Sequence, residues 1–347
     1  MTETKTLTPD ELFQRALAAS EAGRPDEAER LVGVAFKLAK GPAMLIMLGA
    51  ALEQQARFTE ARAVFRAVTA AAPDDPTLAF PLATNLLRAG DYPEGLALYE
   101  QRPIRITPIM QAKPKLSFPE WTGETVRSLV ILPEQGFGDE IMFNRFVPVL
   151  RSRGIEVTLI CRPNMARLFA HLDVNLLPMA PSLQIPRADA WSLSTSLPFR
   201  LGIRPETLPA AAYLPGRSGG AGVGIMATGS ADPDPLRSLP NDLAAELLAV
   251  PGATNLDPTA TGAMDFEDTR AAIEGLSLVI SVDTATAHLA AAMGKPTWTL
   301  IPFRPDWRWG EQGASPWYPN MRLFRQPKLM DWRSVVDEVK AALAARA

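Results

Sequence analysis

One cysteine and two histidines are all that 347 residues offer of those two side chains. Cys161 can form no internal disulfide, and so few ligands build neither a thiolate cluster nor a His-rich metal site. A reducing compartment is the natural setting. Charge of one sign is also missing: 35 Lys and Arg against 38 Asp and Glu leave −3, without the basic excess of a nucleic-acid binder. Long hydrophobic runs are absent too. The longest, Pro42 to Leu52, falls far short of the ~20 residues that cross a bilayer. Met1 to Asp10 is polar, with neither the apolar stretch nor the small-residue cleavage site of a secretory leader. The expectation is a cytoplasmic protein with no transmembrane segment. With 47% hydrophobic and 21% charged residues the chain is no disordered polymer. At about 150 residues per domain it holds two or three domains.

The first hundred residues are repetitive. Leu45, Leu48, Gly49, Leu52, Ala61, Phe65, Val68 and Pro73 suit two antiparallel helices that approach closely at Gly49 and Ala61 and stop at Pro73. About 34 residues on, Leu82, Ala83, Leu86, Gly95 and Tyr99 repeat the pattern. A looser copy (Ala16, Gly23, Ala28, Val32) precedes it. This period and chemistry resemble the tetratricopeptide repeat, a module that presents a surface to a protein or peptide or simply stacks on its neighbouring domain. Residues 102–127, with prolines at 103, 108, 114 and 119, are a connector that Trp121 anchors.

The rhythm then becomes α/β. Ser128 to Pro133 predicts a buried strand, Glu134-Gln-Gly-Phe-Gly-Asp139 a tight loop, Glu140 to Arg153 a helix, Val157 to Cys161 a strand and Pro163 to Leu172 a helix. A Pro/Gly-rich stretch from Leu208 to Gly222 reads as a hinge. Beyond it, strands are predicted at 223–226, 278–282 and 297–301, and helices at 241–250, 266–276 and 286–293. The final helix, Trp332 to Ala345, is expected to brace the first α/β half. The divisions are 1–102, 103–215, 216–330 and 331–347.

Two constellations carry chemistry. Gly136 and Gly138 admit close backbone approach, and the helix after them offers free amides to an anion. Asp139 is a strong helix cap, and at a loop tip facing a cleft it can act as a general base. In Ser281-Val-Asp-Thr-Ala-Thr-Ala-His288, a buried strand runs straight into a helix. Asp283 is placed to cap it, leaving Thr284 and the first amides for a phosphate. His288, one turn on from Thr284, is either a satisfied core residue or a donor to an oxyanion. The stretch 298–332 holds five of seven tryptophans and an excess of arginine, fit for stacking on a base or for packing between domains. Phe303 and Arg304, just past a strand end, are the better cleft candidates there. Asp232-Pro-Asp234 reads as a turn rather than a metal motif.

Glu134-Gln-Gly-Phe-Gly-Asp139, the Asp283-Thr284…His288…Gly294-Lys-Pro296 run and Arg237-Ser-Leu-Pro240 resemble glycosyltransferase family 9, the heptosyltransferase family, in its branch fused to tetratricopeptide repeats. The likeness runs from about Trp121 to Arg325. It implies a GT-B-like pair of facing Rossmann-type domains behind an all-α repeat domain, with no cofactor and no metal beyond a nucleotide-diphosphate sugar donor. It implies Asp139 as catalytic base, Thr228 and Arg237 on donor phosphates, and Asp283, Thr284, Ala285 and His288 around the nucleotide end and its diphosphate. Two departures stand out: Ala285 replaces a common glycine, and Arg237 replaces a lysine. The implied activity is an inverting glycosyltransferase, with a protein acceptor held by the repeats as the expectation. The competing reading is an inactive scaffold that works through the repeats alone.

Overall fold

A computed structural model of the chain describes residues 7–103, 116–230 and 234–346. It forms two compact units, one of the N-terminal helices with Phe303–Glu311, the other of the remainder from Pro114 onward. Prolines 108 and 114 of the connector, and Asp232, lie outside the described residues.

The helical unit contains α1 (Pro9–Glu21), α2 (Pro25–Leu38), α3 (Pro42–Gln54), α4 (Phe58–Ala71), α5 (Ala79–Arg88) and α6 (Tyr92–Tyr99). Helix α1 opens on a reciprocal cap: the Glu11 amide donates to the Thr8 hydroxyl and the Thr8 amide to the Glu11 carboxylate. Proline begins α1, α2 and α3, where its missing N–H has no helical partner to lose. Gly49 is required by packing, because a Cβ there would lie 2.2 Å from Phe65 Cε1.

The segment Phe303–Glu311 completes this unit. Arg88 donates to the Pro305 carbonyl (3.1 Å) and pairs with Glu53 (2.6 Å). The Glu311 carboxylate pairs with Arg62, its amide donates to the Arg88 carbonyl, and Trp307 meets Tyr99 edge-on at 5.7 Å.

The second unit is α/β. Its first half runs β1 (Ser128–Leu132), α7 (Phe137–Asn144), α8 (Phe146–Ser152), β2 (Glu156–Cys161), α9 (Ala166–Phe169), β3 (Asn175–Pro178), β4 (Ala190–Leu193) and α10 (Leu197–Arg200). The sheet is parallel, in the order β3-β2-β1-β4. The second half runs β5 (Val223–Met226), α11 (Asn241–Leu248), β6 (Ala253–Asn255), α12 (Pro258–Thr261), α13 (Phe266–Glu274), β7 (Leu278–Val282), α14 (Ala285–Ala292), β8 (Thr297–Ile301), β9 (Met321–Arg325) and α15 (Trp332–Ala344). Its sheet is also parallel, in the order β6-β5-β7-β8-β9. The strand order reverses direction between β1 and β4 and again between β5 and β7, and open parallel sheets bind ligands at the carboxyl edge of such points.

Three expectations are corrected. The single helix over 140–153 starts at Phe137 and breaks at Arg145, because Pro148 has no N–H for the Asn144 carbonyl. The stretch Leu208–Gly222 is no loose hinge: Tyr213 and Leu214 donate to the Ala292 carbonyl, and Gly216 lies so close to the Met293 carbonyl that a Cβ would be 2.2 Å away. The final helix belongs to the second half rather than bracing the first. Trp332, Val335, Val336 and Val339 enter the core of the second sheet, and Arg333 and Lys340 both pair with Glu246 of α11. Trp121 does anchor the connector. It is 2% exposed, and its amide donates to the Trp191 carbonyl at 2.7 Å.

Candidate functional site

The loop after β1 turns on Gln135, at φ +62°, and Gly136 caps α7. Asp139 is therefore the third residue of the helix, and the correction to its capping role is one of direction. Its Oδ2 reaches back to accept the Gly136 amide at 2.9 Å, which fixes the carboxylate on the loop. Two buried carboxylates flank it, and neither stood out in the sequence. Glu134 accepts from the Thr195 hydroxyl, tying the end of β1 to the end of β4. Glu140 is fully buried and pairs with Arg162, whose guanidinium also donates to the Gln135 carbonyl and lies over the Phe137 ring at 5.1 Å. Burial, only partly opposed by Arg162, pushes the Glu140 carboxyl above the usual range. Arg162 thus clamps the glycine loop from β2. Its signal in the sequence is weak, a lone arginine after Cys161.

In the second half, Thr284 rather than Asp283 is the N-cap of α14, and its side chain makes no capping bond to the helix. Its hydroxyl instead shares a hydrogen bond with Ser281 at 2.9 Å. Thr228 and Gly229 follow β5, next to β7 in the sheet. A Cβ on Gly229 would lie 3.0 Å from Arg237 Nε and 3.1 Å from Thr284 Cγ2, so the loop runs between these two side chains. Arg237 Nε donates to the Ser230 carbonyl (3.0 Å), and the Ser238 hydroxyl accepts the Gly229 amide (2.9 Å). Thr228 donates to Asp257 at 3.3 Å. Asp234 holds the following turn by accepting the Leu236 amide.

The two halves meet through these loops. A Cβ on Gly138 would sit 2.8 Å from Cδ2 and 3.3 Å from Nε2 of His288, and 3.6 Å from Cα of Ala285. Helices α7 and α14 therefore touch near their amino ends, with Gly138 as the point of closest approach. His288 is 4% exposed; its Nδ1 shares a 2.7 Å hydrogen bond with the Tyr318 hydroxyl, and Nε2 lies 4.0 Å from Asp283 Oδ1. Gly138, Ala285 and His288 thus meet at one contact, with Gly136 and Asp139 hydrogen-bonded to each other on either side of Gly138. Thr228, Arg237 and Thr284 gather at the adjoining strand ends, with Asp283 linking the two groups.

Phe303 and Arg304 follow the end of β8. They open the segment that groups with the helical unit. The five tryptophans of 298–332 are all buried, Trp298 and Trp332 among them in the second-sheet core. Lys295 of the Gly-Lys-Pro turn is structural: its ammonium donates to the carbonyls of Gly219, Glu274 and Leu276. Among the described residues, no three His, Cys, Asp or Glu side chains converge as metal ligands, and no helix is long and apolar enough to cross a membrane.

Residues 242–330 match the family model "Glycosyltransferase family 9 (heptosyltransferase)", and residues 13–76 match "Tetratricopeptide repeat". The likeness to family 9 glycosyltransferases thus rests on residues 242–330. The matched span begins within α11 and runs past β9, so it includes the Asp283–His288 run. Among curated proteins, FlbA of Caulobacter vibrioides is 25% identical over 331 residues, spanning 76% of this chain and 54% of that protein. The chain thus covers about half the length of the curated relative it matches. Among solved structures, Escherichia coli heptosyltransferase WaaC with ADP-2-deoxy-2-fluoro heptose is 15% identical and covers 63% of this chain and 100% of its own, at a TM-score of 0.44. A family 9 glycosyltransferase from Veillonella parvula is 12% identical, covering 64% of this chain and 91% of its own, at a TM-score of 0.42.

Proposed function

We propose that the family 9 domain transfers a sugar from a nucleotide-diphosphate donor to an acceptor hydroxyl, with inversion and without a metal or other cofactor. The observation that supports this reading is the contact of Gly138 with His288, which sets the loop bearing Asp139 against the amino end of α14, the end this reading takes for the donor diphosphate. Asp139 would take the proton of the acceptor hydroxyl as that oxygen attacks the anomeric carbon. The bond from that carbon to the diphosphate breaks on the opposite face. The departing charge would be met by Arg237, by the first amides of α14 and by a proton of His288, all fixed before the reaction. Arginine at 237 suits the task, since its planar fork binds two phosphate oxygens at once. The repeats would recruit the acceptor, a protein or peptide.

A thermal-shift series with ADP, GDP, UDP and CDP tests the donor half of this reading. At least one should raise the melting temperature of the wild type, and Arg237→Ala should weaken that ligand about tenfold or more, the worth of a charge-assisted hydrogen bond. If none of the four shifts the wild type, the inactive-scaffold reading is correct instead.

A further inference from the structure

Arg145 is a buried cation without an acid. Its side chain is among the largest fully buried ones, and among the described residues no carboxylate lies within ion-pair distance. Nε donates to the Met142 carbonyl (2.9 Å) and Nη1 to the Trp317 carbonyl (2.6 Å), while Nη2 is buried with no hydrogen-bond partner. An uncompensated buried charge is costly, so a fold that keeps one gains something from its field. What lies over Arg145 shows where that field acts. The guanidinium carbon is 4.5 Å from the centre of the Tyr318 ring, and the Tyr318 hydroxyl is the partner of His288 Nδ1.

A cation against a phenol ring draws electron density from the hydroxyl, which makes it a better donor and a poorer acceptor. The Tyr318 hydroxyl therefore donates, His288 Nδ1 accepts, and the imidazole proton resides on Nε2. That nitrogen is on the side of Gly138 and Asp283, at the amino end of α14. We propose that Arg145 and Tyr318 are positioning residues that hold His288 as an Nε2–H donor to the diphosphate of the nucleotide ligand, with Arg145 also supplying positive potential behind it. The role of that donor rests on the transferase reading; the tautomer does not.

The chain has only two histidines, which makes the tautomer directly measurable. A two-bond 1H–15N correlation spectrum of the full-length protein, labelled with [15N]histidine, reports which ring nitrogen carries the proton. His171→Gln assigns the pair. The expected result is His288 protonated at Nε2 in the wild type. In Tyr318→Phe the tautomers should mix while the His171 signals stay in place as a check on folding. Arg145→Gln should move His288 in the same direction and serves if Tyr318→Phe fails to fold. A wild-type His288 protonated at Nδ1, or an unchanged pattern in both variants, overturns the proposal. Calorimetry with ADP, GDP and UDP separates the two readings. An affinity loss of about tenfold in Tyr318→Phe supports the positioning role, and an unchanged affinity contradicts it. If neither these three nor CDP binds the wild type, the transferase reading fails whatever the tautomer.

Discussion

A methyl group at Gly138 would sit 2.8 Å from the buried ring of His288. Gly138→Ala should therefore force α7 and α14 apart or turn the imidazole, with a loss of about 1–3 kcal/mol typical of overpacking, measurable by urea denaturation. The sequence displayed this glycine but not its reason, because the partner lies 150 positions away on another strand–helix unit. The place of Cys161 at the end of a strand was legible. The residue is buried in β2, and burial pushes its thiol up to about 12. Native protein at pH 8 should thus resist a thiol reagent such as dithionitrobenzoate, and unfolded protein should react with one equivalent. Prompt reaction of the native state would show that β2 is not packed as described.

At the scale of elements, β1, β2, β5, β7 and β8 were readable as short apolar, branched runs. Strands β3, β4, β6 and β9 were not. Three of the four have only three or four residues, and β9 mixes arginines into an edge position. The break at Arg145 was signalled by Pro148, four residues after the carbonyl it leaves unpaired. The link from β2 to the glycine loop had no local signal, since Arg162 and Glu140 are 22 residues apart. Arg162→Ala would leave Glu140 buried without its cation, keeping only the long bond from the residue 162 amide (3.5 Å), a change worth about 3–5 kcal/mol at neutral pH. The sign with pH follows from the raised carboxyl. A group that holds its proton more tightly when folded favours the fold at low pH and loses that advantage as pH rises above its unfolded value of about 4.3. The deficit of Arg162→Ala, measured by chemical denaturation across pH 4 to 8, should therefore shrink on the acid side. A pH-independent deficit would mean that Glu140 is not the group left exposed to the change.

Across the molecule, the division into helical repeats and paired α/β halves was readable, because each has its own period and its own punctuation. The allegiance of Phe303–Glu311 was not: it follows a strand of the second sheet, yet it groups with the repeats through Arg62, Arg88 and Tyr99. The loops after β1 and β7 lead into α7 and α14, which meet at Gly138, and the loop after β5 passes between Arg237 and Thr284. The most direct test is turnover by Asp139→Asn. With a nucleotide sugar that the wild type uses, the variant should bind donor as tightly as the wild type and release nucleoside diphosphate at least about a hundredfold more slowly. Wild-type turnover in Asp139→Asn would contradict the proposed role of this carboxylate as the base.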